Sequence, residues 1–426
     1  MNKTLLQADL LAKAQTKLPN DALRAVRQAL LPDVTRHGFP TTRDEDWRYT
    51  NLSHAVELSN TWLSDLLNNT PAVSAELNVE LPEVDAHGLV LVDGLVDEVA
   101  LQRVQSALDG ALRIGRLRDN ANRVHAEGPL DTLNAAMLQD GLFIEVPTNH
   151  RADKPLAIYL HDGAMTASQS RIVIDVGPNA TIDLIEYHLR GADTAHFANS
   201  VTQINLAEGA TVNYVRIQQR DRKHVQTGKL AAKLHRDATL SHAAFDLGGG
   251  LTRSDIVADL LEPGAAVHMN GLYLADDEQH IDNHTRVDHR VGPAISREEY
   301  RGILNGAARC VFNGKAIVHE GADGTDAQQA NHNLLLSNKA EVDTKPELEI
   351  YADDVKCAHG ATVGELDESA IFYMQSRGLD RDQAAHMLTR AFAAQILSKL
   401  PVSGLHAHIE GLVDARLDEL LQERAS

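Results

Sequence analysis

A phrase of about 28 residues that keeps returning constrains this chain more than any other feature. Arg171-Ile-Val-Ile-Asp-Val176 leads through the turn Gly177-Pro-Asn-Ala180 into Thr181-Ile-Asp-Leu-Ile-Glu-Tyr-His-Leu189, two strand-like runs about one tight turn. The pattern recurs as Val201-Thr-Gln-Ile-Asn-Leu206, Ala207-Glu-Gly-Ala210 and Thr211-Val-Asn-Tyr-Val-Arg-Ile217, then around Asp237-Ala-Thr-Leu240 and Gly264-Ala-Ala-Val267. The turn alanines Ala180, Ala210, Ala238 and Ala266 stand 30, 28 and 28 residues apart, with weaker echoes at Ala308, Ala340 and Ala361. A unit of two strands and no helix cannot bury a face alone, and stacking successive coils gives it a core. The expected fold is mainly β: a central right-handed parallel β-helix over residues 141–365, with a β-sandwich as the alternative. Aromatic residues make up only 4 % of the chain, which suits a narrow interior filled by Val, Ile, Leu and Ala.

Different textures flank the repeats. Residues 1–140 read as a helical or mixed domain. In Asp21–Leu30, Leu23, Val26 and Leu30 recur at helical spacing, whereas Gly88-Leu-Val-Leu-Val-Asp-Gly94 reads as a buried strand closed by a turn. Residues 366–426 return to helix. Asp380-Arg-Asp-Gln383 has the form of a capping box, and Leu388, Phe392 and Ile396 follow at i+4 spacing before Pro401. A second amphipathic stretch, 405–421, completes a helical pair suited to docking a partner, with Asp380, Leu388, Phe392 and Ile396 as candidate docking residues.

Charge and composition remove several classes of function. A formal net charge of −20 opposes binding to a phosphate backbone, so no nucleic-acid partner is expected. No run approaches the roughly 18 to 20 apolar residues of a membrane span, and the opening MNKTLLQADLLAKAQTKL lacks the apolar core of a secretory signal. Two cysteines in 426 residues fit a reducing compartment, and a cytoplasmic location is expected. No G-x-x-x-x-G-K-[ST] loop, G-x-S-x-G elbow or H-E-x-x-H helix is present, and Gly248-Gly-Gly250 reads as a tight solenoid corner. The chain is not expected to be an enzyme.

Two groups of metal-binding side chains stand out. His280, His284 and His289, with Asp282 and Asp288 between them, could present ligands, but polar side chains on an exposed solenoid face explain them as well. His406 and His408 would point to different sides of a helix. The stretch from Glu341 to Gly364 is more informative, because Cys357 and His359 stand two apart. On a strand they would leave the same face about 6.5 to 7 Å apart, while Lys356 points the other way. A thiolate beside an imidazole suits iron or zinc, although a structural cysteine with a polar neighbour fits the spacing equally. An iron–sulfur cluster usually takes four protein ligands, and Cys310 and Cys357 are the only thiols. Any cluster handled here needs sulfur ligands from a second chain or from small molecules, which puts the site at an interface.

Pro40-Thr-Thr-Arg-Asp-Glu-Asp-Trp-Arg-Tyr-Thr50 and the Glu341–Gly364 block resemble the SufD family of the SUF iron–sulfur cluster assembly system. Val311-Phe-Asn-Gly314, Asn331-His-Asn-Leu-Leu-Leu336 and Phe372-Tyr-Met-Gln-Ser-Arg-Gly378 resemble it too, so that the likeness covers the whole chain. It implies a scaffold that pairs with SufB and binds the SufC ATPase through its C-terminal helices, with a transient Fe–S cluster at the SufB–SufD interface. The family's histidine in C-x-H-G-A-T falls on His359, with Cys357 as the adjacent thiol and further thiolate from SufB. The resemblance expects no cofactor in the isolated chain, leaves a reduced flavin in the complex open, and admits a homodimer when SufB is missing. SufB relatives usually carry cysteines in the N-terminal half, and this chain has none before Cys310. Trp47 and Tyr49 could equally be core residues. A polysaccharide-active β-helix enzyme and a purely architectural partner of SufB are the competing readings; the scarcity of aromatics opposes the first.

Overall fold

The computed structural model of the protein describes residues 5–69, 80–163, 165–191 and 193–422. The repeated phrase folds into two facing sheets between which the chain alternates. Ala167–Val176 lies in a nine-stranded sheet, Thr181–His188 in a ten-stranded one, and His196–Leu206 returns beside Ala167–Val176, parallel to it. Each strand pairs with the strand one coil away, which yields a parallel β-solenoid of about eight turns. The β-sandwich alternative is thereby set aside.

Register corrects the repeat in detail. The buried turn alanines are Ala180, Ala210, Ala238 and Ala265, and each donates its N–H to the carbonyl three residues back. Ala266 instead opens the strand Ala266–Ala275, and a one-residue slip in a strand reverses the facing of its side chains. Ala308 and Ala340 sit in turns that enter the other sheet, Ala361 lies within a strand, and the turn alanine entering the strand Ile295–Leu304 is Ala294.

The interior also departs from a simple aliphatic filling. Rows such as Ile182, Val212, Leu240 and Val267 stack as expected. Yet Tyr214, Tyr273, Tyr300 and Phe312 occupy the same core, and charged groups lie among them. Glu186 receives hydrogen bonds from Thr202 Oγ1 at 2.6 Å and from the Tyr214 hydroxyl, and contacts His188 Nε2 at 2.7 Å. Arg216 pairs with Asp246 at 2.8 Å. Strands of eight to eleven residues leave room for a polar half beside the apolar one, in which these groups bond to one another while others, such as both ring nitrogens of His242 and the Tyr300 hydroxyl, have no hydrogen-bond partner among the described residues.

Helices cover the two outer faces. Ser53–Asn68 and Pro129–Ala136 lie against the nine-stranded sheet, where Trp62 and Leu133 meet Ala167 and Phe197. Arg381–Leu397 and His406–Gln422 lie against the ten-stranded sheet, where Ile396, Val413 and Leu417 meet Phe245, Leu272 and Ile303. Asp380 forms the expected capping box with Gln383. The sheets start well before residue 141: His87–Val92 pairs in parallel with Leu156–His161, and Arg113–Arg116 closes the other sheet antiparallel to Leu142–Val146. No helix among the described residues is long and apolar enough to cross a membrane.

Candidate functional site

The solenoid ends on two edge strands, Glu341–Ile350 in the nine-stranded sheet and Lys356–Gly364 in the ten-stranded one. Cys357, His359 and Ala361 stand in register with Ala327, Gln329 and Asn331, which are all buried, while the intervening Gln328 is exposed. Cys357 and His359 therefore share the inward-facing row, as the spacing predicts. Opposite them Val342, Thr344, Pro346, Leu348 and Ile350 continue the inward row of Cys310, Phe312 and Gly314. Among the described residues no further coil covers this end. Inward-row residues that would be core one coil earlier are open to solvent here, Val363 to 49 % and Ile350 to 43 %, and His359 is exposed among them. The result is a mouth with apolar walls, one imidazole, one thiol, and two rims of unpaired backbone.

Cys357 is half-buried, and burial raises its thiol above the ordinary range, countered by a hydrogen bond with the Ala327 backbone and reinforced by Asp326. The isolated chain does not itself favour a thiolate there. Burial drives the Cys310 thiol much further up, and that side chain is fully enclosed. A cleft of about 260 Å³ runs beside the last strand, lined by Arg297, Glu299, Gln328, Ala358, His359 and Lys399. A larger one of about 650 Å³, lined in part by Arg222, Gln279 and Lys339, lies away from both cysteines and His359.

The other histidine group does not converge. His280, Asp282 and His284 share the outer face of His280–His289, but Asp282 is taken up by Arg253 at 2.7 Å, by His284 at 3.0 Å and by the Thr50 hydroxyl. Burial would raise the Asp282 carboxyl, yet Arg253 and His284 hold it well below the usual carboxylate range. His289 points inward to Ser296, and Asp288 pairs with Arg286 and His319. These contacts fasten the Pro40–Thr50 segment to the sheet. Trp47 is half-buried with the Arg253 guanidinium 4.3 Å from its ring, and Tyr49 lies 5.8 Å from that of Arg309, so neither is a plain core residue. Gly248, Gly249 and Gly250 form the expected corner, Gly249 at φ +84° and its neighbours against the backbone of Arg220 and Arg222. His406 pairs with Glu410 and His408 turns to Tyr187, on different sides of their helix.

On the C-terminal helices, Asp380 is committed to its cap, Leu388 is half-buried, and Phe392 is covered by the Arg301 guanidinium at 4.7 Å. Ile396 is fully buried against the solenoid, so as a docking residue it is corrected: it has no surface to offer. Sequence spacing missed Phe372, Tyr373 and Met387, exposed to 71, 59 and 56 %, although the Phe372-Tyr-Met run was visible. It also missed the buried cluster Asp93, Asp162 and His196, whose ligand atoms lie within 4.8 Å of one another. Arg220 already pairs with Asp162, and His196 Nδ1 is bonded to the Met165 carbonyl at 2.7 Å. No local spacing could have joined those three positions.

Comparison with known proteins adds to this geometry. Residues 159–392 match the family model for the SUF system FeS cluster assembly SufBD core domain, and residues 7–158 match that for the SufBD protein N-terminal region. The chain is 31 % identical over 400 residues to the iron-sulfur cluster assembly protein SufD of Escherichia coli, covering 92 % of each protein. It is 24 % identical over 416 residues to SufD of Bacillus subtilis, covering 94 % of each. An iron-sulfur cluster assembly SufBD family protein of Mycobacterium leprae is 26 % identical over 398 residues, with 90 % of this chain and 92 % of that one covered.

Proposed function

The chain belongs to the SufBD family of iron–sulfur cluster assembly proteins, and from that premise we propose that it is the scaffold subunit that pairs with a SufB-type chain at its open mouth. The observation that carries this reading is the exposure of His359 on the inward row of an uncovered coil. Two edge strands with free backbone and apolar inward side chains are built to be covered, and a second solenoid end would satisfy both needs. In the covered mouth His359 stands as a ligand to the nascent cluster, which is cargo rather than a resident group. The Cys357 thiol lies one step along the same row, and thiolate from the partner completes the donor set. The raised thiol of Cys357 favours His359 as the first ligand from this side.

The C-terminal helices provide a separate docking surface for a SufC-type ATPase, with Phe372, Tyr373 and Met387 as its apolar contacts in place of Ile396. The chain acts as a scaffold, not as a catalyst, in the cytoplasm, and when its partner is lacking the same mouth admits self-pairing.

Val363→Lys tests the pairing. The side chain is half exposed, so the isolated fold tolerates the change, while a charge on the mouth opposes its covering. Co-purification with SufB- and SufC-type partners should lose the SufB-type chain; undiminished recovery of the pair would refute the mouth as the interface.

A further inference from the structure

Beneath His359, one inward row runs down the ten-stranded sheet as Tyr214, His242, Met269, Glu298, Gln329 and His359, each in register with the next. Its last three members are linked by an arrangement that the fold alone does not require. Glu298 and Gln329 are each 5 % exposed. Gln329 Nε2 donates to Glu298 Oε2 at 3.1 Å, and Thr285 Oγ1, from the facing sheet, donates to the same oxygen at 2.6 Å. A reversed amide would set Gln329 Oε1 against the carboxylate, so the amide orientation is fixed. Gln329 Oε1 is then left buried with no partner. A buried acceptor without a donor is destabilising, and a nearby donor would relieve it.

Two further observations converge on that oxygen. Gly314 lies where the Gln329 amide crosses the interior, and a Cβ there would overlap it; this glycine closes the Val311-Phe-Asn-Gly314 motif. The next side chain in register with Gln329 is His359, one strand spacing away, about 4.8 Å. Burial pushes the Glu298 carboxyl up to about 7 against the hydrogen bonds from Thr285 and Gln329, so at pH 8 it is an acceptor and holds the amide as described.

We propose that Glu298 and Gln329 are positioning residues for His359: Gln329 Oε1 accepts the ring N–H, which fixes the imidazole in one tautomer and turns its other nitrogen, with the free lone pair, towards the open mouth. Metal-binding histidines are commonly held in this way, through the nitrogen that does not bind. The consequence for cluster handling rests on the ligand reading of His359; the tautomer itself does not.

The test uses the full chain with ¹⁵N-labelled histidine at pH 8, with His359→Ala to assign the ring signals. The wild type should show the His359 ring as a single tautomer. In Glu298→Gln an amide oxygen can still accept from Thr285 and Gln329, so the tautomer should be retained, whereas in Glu298→Leu the acceptor is gone, the Gln329 amide is free to turn, and the two tautomers should average. In Gln329→Leu the two tautomers should average. Unchanged His359 signals in Glu298→Leu overturn the proposal even if Gln329→Leu fails to fold. In the complex with SufB- and SufC-type partners, Gln329→Leu should weaken iron retention about 10- to 100-fold. An altered tautomer with full iron retention upholds the positioning and removes the ligand reading instead.

Discussion

Glu298 gives the chain a pH dependence that can be worked out from its surroundings. The carboxyl is enclosed between the sheets with only Thr285 and Gln329 to bond it, and burial raises it from the ordinary 4.5 to about 7. The folded chain therefore binds this proton more tightly than the unfolded chain. Stability is lost as pH rises from about 4.5 through 7, and the loss is complete above that. At about 1.4 kcal/mol per pH unit across that interval, the penalty is about 3 kcal/mol in alkaline solution. Glu298→Gln removes the titration and keeps the volume and the acceptor for Thr285. Urea unfolding of wild type and variant at pH 5 and pH 8.5 checks this. The two should be close in stability at pH 5, and the variant should be the more stable by about 3 kcal/mol at pH 8.5. The same difference at both pH values would refute the claim that the carboxyl is raised by its burial.

Other consequences are local. Asp282→Asn should cost about 1 to 3 kcal/mol, because Arg253 loses one of two carboxylate partners and keeps Asp255, and should loosen the Pro40–Thr50 strap; Trp47 fluorescence shifting towards that of a solvated indole reads the loosening. Phe372→Ser should reduce recovery of the proposed SufC-type partner while changing the stability of the isolated chain by less than about 0.5 kcal/mol, measured by pull-down and urea titration. Ile396→Ala should do the reverse, costing about 2 to 5 kcal/mol of stability as a cavity against the solenoid, with docking retained where the chain is folded.

The period of the turn alanines was enough to read the solenoid, because stacking forces each coil to repeat its turn at the same place. It was not enough to fix every register: the pair Ala265-Ala266 offers two alanines where one turn position exists, and only the chain's path shows that Ala265 is buried. The pairing of Cys357 with His359 on one face followed from strand geometry alone. That this face is the uncovered inward row depends on where the solenoid stops, which spacing does not state. Gln329 and Glu298 lie 30 and 61 positions before His359 and become its neighbours only through the parallel register. Ile396 and Phe372 mark the opposite limit. Helical periodicity identifies an apolar stripe but not whether the solenoid or a partner covers it.

The most direct test of the central claim is anaerobic cluster reconstitution on the complex of this chain with the proposed SufB- and SufC-type partners, comparing wild type with His359→Ala by visible absorption and iron content. The exposed position predicts a variant that folds and assembles normally. Loss of the cluster from an intact complex is the result expected of a ligand at the mouth. A full cluster in the His359→Ala complex would contradict that role and leave the chain an architectural subunit, with the chemistry carried by its partner.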